Sequence, residues 1–189
     1  LCAVDWVGIA NSGNTVWREA LAKAANTTAD RVAVHALHQH DAPYCGFTIE
    51  EILTPFGLNG KASDPSFAHT VIKRAADAVS LAAANPVTVT HMGVGEAVVE
   101  HIASNRRILG ADGKVAKVRY TATRNPELQA APVGTIDPFL KTVTFWASET
   151  PLAVLTYYAT HPQSHYGQGH VTTDFVGMAR TAREEALHG

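Results

Sequence analysis

The sequence predicts an α/β domain, a mixed and largely parallel sheet layered with helices. Three observations carry that reading. Short apolar runs alternate with segments of 3.6-residue periodicity. The first two apolar runs are separated by one helix-length segment, the arrangement of a right-handed parallel crossover. A chain of 189 residues can also bury roughly 70% of the surface its unfolded form exposes, so a real core is available.

Leu1 to Trp6 reads as a buried strand. Asn11-Ser-Gly-Asn14 supplies a turn and a cap, after which Trp17, Ala20, Leu21 and Ala24 share one helical face. Arg31 to Leu37 is the next apolar run, and parallel pairing with the first strand sets Asp5 and His38 at the same carboxyl edge, where open α/β sheets keep their ligands. Asp64-Pro65 opens a second helix whose Phe67, Val71, Ile72, Ala75, Val79 and Ala82 follow the helical period, and Asn85-Pro86 stops it. Val87 to Gly95 is a third strand. Ala111-Asp-Gly-Lys114 signals a hairpin between residues 105–110 and 115–121. Thr123 to Gly134 reads as a surface loop. Leu140 to Ala147 and Leu152 to Thr160 are strands joined by the turn Ser148-Glu-Thr-Pro151. Thr173 caps a last helix, with Asp174 at its positive end and Phe175, Met178, Ala179, Ala182 and Ala186 facing inward.

Composition narrows the function. A net charge of −2 with scattered Lys and Arg gives no footprint for nucleic acid or an anionic membrane. No apolar run reaches the ~18 residues of a spanning helix. Cys2 and Cys45, one in a strand and one in a loop, form neither a CxxC nor a disulfide framework. The chain starts at Leu1 inside an apolar stretch, with no initiator Met and no leader segment, and reads as a piece of a longer polypeptide.

Chemistry concentrates in two segments that each end an apolar run: Val32-Ala-Val-His-Ala-Leu-His38-Gln-His40-Asp41-Ala-Pro43 and Leu155-Thr-Tyr-Tyr-Ala-Thr-His161-Pro162-Gln-Ser164. Imidazoles at the ends of two buried strands are a ready place for a divalent metal. His38 and His40 share a face while the strand persists, and His35 points to the other and is structural. Pro162 drives His161 out of the α region, which excludes a zincin-type helical pair with His165. Ala42 and Pro43 break the metallo-β-lactamase pattern. His165 and His170 sit in a Gly-rich polar loop, Ser164 to Thr173, and read as solvated, while His69, His91, His101 and His188 read as ordinary surface or core positions.

Four segments together resemble the amino-terminal catalytic region of the neutral/alkaline, non-lysosomal ceramidase family. His38-Gln-His40-Asp-Ala-Pro43 is similar to its His-Thr-His-Ser-Gly-Pro, and Asn105-Arg106 to its Asn-Arg-Ser. Thr160-His161-Pro162-Gln-Ser164 is similar to its His-Pro-Thr-Ser, and Asp174-Phe-Val-Gly177-Met-Ala179 to its Asp-Asn-Lys-Gly-Tyr-Ala. Asp41-Ala42 and Gln163 are departures from those motifs. The resemblance implies that residues 1–189 are part of one catalytic domain truncated on the C-terminal side. It implies Zn²⁺ held by His38 and His161, His40 handling protons beside the metal, and Arg106 facing the substrate carbonyl or its oxyanion. It places a further Glu and Tyr ligand downstream, so that residues 1–189 alone are expected to be inactive, and it implies a secreted or periplasmic amidase acting on N-acylsphingosine-like lipids. The competing expectation is a non-catalytic α/β binding domain whose histidines are incidental.

Overall fold

A computed structural model describes residues 1–188, with the backbone alone at His188. The protein mixes helices and strands in two compact units, Leu1–Pro86 with Pro162–Gly189, and Val87–His161.

The first unit holds the core. Its strands are β1 (Cys2–Val4), β2 (Gly8–Ile9), β3 (Val34–Ala36) and β4 (Tyr44–Cys45), and its helices are α1 (Ser12–Ala24), α2 (Phe47–Leu53) and α3 (Pro65–Ala83). β1 and β3 pair in parallel with Ala3 opposite His35, as the strand, helix, strand order requires, and β2 pairs in parallel with β4. Trp6, Trp17, Leu21, Val34, Cys45, Ala68 and Ile72 form one buried cluster, so α1 and α3 bury their apolar faces on the short parallel strands. Trp6 meets Trp17 edge to face at 5.6 Å between ring centroids. Asp64 caps α3 by accepting a hydrogen bond from Phe67 N, and Pro65 fills the first helical position, as expected.

The second unit is antiparallel. β5 (His91–Val98), β8 (Phe139–Ala147) and β9 (Thr150–Tyr157) form a three-stranded sheet in the order β5-β8-β9. β6 (Arg107–Leu109) and β7 (Val115–Val118) form the expected hairpin, and a short helix, α4 (Pro126–Ala130), lies where the sequence suggested a loop. The helix starts at Pro126 behind an Asn125 side chain that accepts from Glu127 N.

Three expectations change. Parallel pairing is confined to two-residue and three-residue strands, and the longer strands are antiparallel, so there is no single layered parallel sheet. The reason is local: β8 and β9 are joined by a tight turn with Ser148 at φ 52°, which permits only antiparallel return. Cys45 is not in a loop but in β4, fully buried. Helix α5 (Asp174–His188) forms, yet Met178, Ala179, Ala182 and Ala186 are exposed, because no described residue covers that face. Gly177 N donates to Thr173 O at 3.0 Å, so Thr173 stands just before the first helical residue, as expected. The Asp174 carboxylate accepts from Phe175 N at 2.6 Å, and Thr172 Oγ1 accepts from Asp174 N at 3.1 Å. Among the described residues no helix is long and apolar enough to cross a membrane.

Candidate metal centre

The parallel ladder continues past β3, where Leu37 N donates to Val4 O at 2.9 Å and His38 N to Trp6 O at 3.0 Å. There the chain leaves the strand. His38 takes φ 69°, in the left-handed region, so simple alternation does not hold across residues 38–40. The two imidazoles meet nevertheless, 4.8 Å apart between centroids and inclined at 66°, because the turn at His38 redirects the backbone rather than because a strand persists.

Gln39 anchors that turn. It is fully buried, and its Nε2 donates to Asp5 Oδ1 at 2.6 Å and to Thr173 O at 3.4 Å. Its Oε1 is buried with no hydrogen-bond partner. Asp5 also accepts a bidentate pair from Arg180, at 2.9 and 2.6 Å, so one carboxylate ties the end of β1, the histidine turn and α5 together. Asp5 is therefore at the edge the sequence assigned to it, and it reaches the site through Gln39.

Each of the first two imidazoles is oriented by a backbone carbonyl. His38 Nδ1 lies 2.6 Å from Val7 O, and His40 Nδ1 lies 3.0 Å from Pro162 O. A carbonyl only accepts, so each Nδ1 is the donor in these contacts and Nε2 is the ring nitrogen left for a metal. Tyr166 packs edge-on against His40 at 5.5 Å.

His161 is exposed and precedes the buried Pro162, whose carbonyl faces His40 Nδ1. One ligand atom from each of His38, His40 and His161 lies within 4.8 Å of the other two. Two nitrogens bound to one tetrahedral zinc at ~2.0–2.1 Å stand about 3.3 Å apart, so the group closes on an ion with an adjustment of about 1.5 Å. Three imidazoles, two with Nδ1 already engaged by a carbonyl, are a donor set that suits zinc.

A loop frames the group. The Asp41 carboxylate accepts from Gln168 N at 2.7 Å and Gly167 N at 2.8 Å, and Asp41 O accepts from Thr172 N at 2.9 Å. The Gln168 amide, then that of Gly167, holds the Asp41 carboxyl below its ordinary value against partial desolvation, with His170 and His165 adding a smaller positive field. The Asp174 carboxylate, nearly fully buried, accepts from His165 N at 3.1 Å and Ser164 N at 3.3 Å, and this clasp holds Asp174 at φ 53°. A cavity of about 370 Å³ opens beside His40, walled by Asp41, Pro43, Gly169, His170 and Val171.

Arg106 is exposed at the entry to β6 in the second unit, where its carbonyl accepts from Arg119 N. His35 sits within β3 and His165 and His170 are exposed, as read from the sequence. His69 stacks on Phe47, His91 stacks on Trp146 and His101 is exposed, whereas the His188 side chain lies outside the described residues. Gln39 and Tyr166 carried no sequence signal for the site, since strand alternation fails at the left-handed His38.

The comparisons add no relative: no family model, no curated protein and no solved structure matches this chain.

Proposed function

We propose that this chain is a metal-dependent hydrolase of amide bonds, with zinc held by His38, His161 and His40 and N-acylsphingosine-like lipids as the substrate class. The observation that carries the metal is the convergence of three imidazole ligand atoms within 4.8 Å. The choice of amide substrate rests on the resemblance of the four motifs to the ceramidase family. This reading moves His40 from proton handling into the ligand set, because its ring stands in the same group and its Nδ1 is taken by Pro162 O. Three protein ligands match a catalytic zinc, which keeps one position open.

A zinc ion held this way supplies a Lewis acid and lowers the pKa of a bound water to ~7. The chain's own residues do the rest. Val7 O and Pro162 O stand against Nδ1 of His38 and His40, which leaves Nε2 as the ring atom that would bind the ion. Asp41 fastens the loop that carries Tyr166, which fixes one edge of the His40 ring. Arg106 has the planar, permanently charged fork that suits an amide oxyanion, and its assignment rests on the Asn105-Arg106 motif alone.

The test is release of fatty acid from N-acylsphingosine in detergent micelles by a zinc-loaded longer chain that includes the downstream Glu and Tyr the resemblance implies. We expect turnover that a chelator abolishes and added zinc restores. Turnover unaffected by chelation, or no turnover by a protein shown to carry zinc, would contradict this function.

A further inference from the structure

We propose that the second unit carries a binding site, separate from the histidine group, for a carboxylate on a short apolar body. A cavity of about 350 Å³ opens between β6 and residues 132–135, apolar at Ile108, Leu109 and Pro132 and cationic at Arg107. Its two sides are pinned together. Asn105 N donates to Val133 O at 2.8 Å, Asn105 Nδ2 donates to Thr135 O at 3.2 Å, and Asn105 Oδ1 accepts from Arg107 N at 2.9 Å. Gly134, at φ 76°, allows the close approach, since a Cβ there would stand 3.1 Å from Asn105 Cβ.

A second guanidinium backs the wall. Arg119 donates to the carbonyls of Ala131 at 2.7 Å and of Leu128, Asn105 and Pro132 at 3.2 Å, and its Nε is buried with no hydrogen-bond partner. Carbonyls satisfy its N–H groups without neutralising its charge. Among the described residues neither Arg107 nor Arg119 belongs to an ion pair. Residues 105–135 hold six basic and two acidic side chains, and both acids are engaged, Asp112 by Lys114 N and Glu127 by Lys117 Nζ.

The cavity therefore joins an unbalanced positive potential to an apolar wall. Arg107 is exposed and offers the planar fork that pairs with a carboxylate through two hydrogen bonds. Ile108, Leu109 and Pro132 offer contact to a body of several carbons, and the volume lies at the small end of ligand cavities. Inorganic phosphate would leave those apolar walls unused.

The experiment is calorimetric titration of the full chain with octanoate, octanol or inorganic phosphate, with a chelator present so that no metal at the histidine group contributes. We expect one saturable octanoate site, octanol binding at least about 10-fold weaker, and no competition from phosphate. Arg107→Gln should weaken octanoate by about 10-fold or more while the ligand-free melting temperature stays unchanged, and Arg107→Lys should recover only part of the loss. Octanol binding as tightly as octanoate, phosphate displacing octanoate at equal concentration, or unchanged octanoate affinity in Arg107→Gln would overturn the site.

Discussion

Asp5→Ala should destabilise the first unit more than Arg180→Ala, although the two residues form one ion pair. The pair itself is half in solvent, with side-chain exposures of 31% for Asp5 and 45% for Arg180, so its loss costs about 1 kcal/mol or less. Asp5 has a second task. Its Oδ1 is the close acceptor for the Nε2 of a Gln39 that is 0% exposed and whose Oε1 has no partner. Removing the carboxylate leaves a buried amide with little more than a 3.4 Å contact to Thr173 O, a desolvation cost of about 1–3 kcal/mol. Together these give about 1–4 kcal/mol for Asp5→Ala against about 1 kcal/mol or less for Arg180→Ala. Denaturant unfolding at neutral pH, followed by the fluorescence of the buried Trp6 and Trp17, reads both values. Because Gln39 holds the turn between His38 and His40, Asp5→Ala should also weaken zinc binding by about 10- to 100-fold, the usual loss for a residue that orients metal ligands. Equal midpoints for the two variants would refute the claim that Asp5 acts through Gln39.

Two further outcomes follow from single residues. Glu50 is buried in α2, and hydrogen bonds from Gly60 N first, then Ser63 N, the Ser63 hydroxyl and Ala62 N, hold its pKa below the ordinary value against desolvation. A depressed folded-state pKa means its contribution is complete above the unfolded value of about 4.3 and is lost as pH falls through the lower folded value. Acid titration of wild type and Glu50→Gln should accordingly show the variant less stable at pH 7 but flatter in that acid window, and parallel curves would contradict this. Gly13→Ala should lower the melting temperature, against the usual gain of up to about 1 kcal/mol for Gly→Ala in a helix, because the added Cβ would stand 2.9 Å from Cys45 Sγ and 3.2 Å from Cys45 O. A raised melting temperature would show that β4 yields easily.

Elements whose signals are local were legible in the sequence. The Asp64-Pro65 start of α3 satisfies its own first turn, the 111–114 turn fixes a hairpin, and a turn at 148–149, within the span the sequence marked, joins two long apolar runs. Elements fixed by distant contacts were not. α2 begins at Gly46 without a side-chain cap and is built around a buried Glu50 whose partners lie ten and more residues later. α5 shows an apolar period, but periodicity cannot say whether a neighbour covers it. At the candidate site the sequence singled out His38, His40 and His161, because strand ends bearing imidazoles are visible in one dimension. It could not show the left-handed turn at His38, the buried Gln39 bridge to Asp5, or the carbonyls of Val7 and Pro162 that engage the ring Nδ1 atoms, since each depends on backbone brought from another part of the chain.

The most direct test of the metal assignment is zinc stoichiometry and affinity, measured by elemental analysis and competitive titration on the wild type and on His38→Ala, His40→Ala and His161→Ala. Three equivalent imidazole donors predict one zinc per chain in the wild type and a comparable loss of affinity in all three variants, with folding unchanged. A wild-type chain that takes up no zinc, or variants that retain it at full affinity, would contradict the account, and full retention in His40→Ala alone would return that residue to handling protons beside the metal.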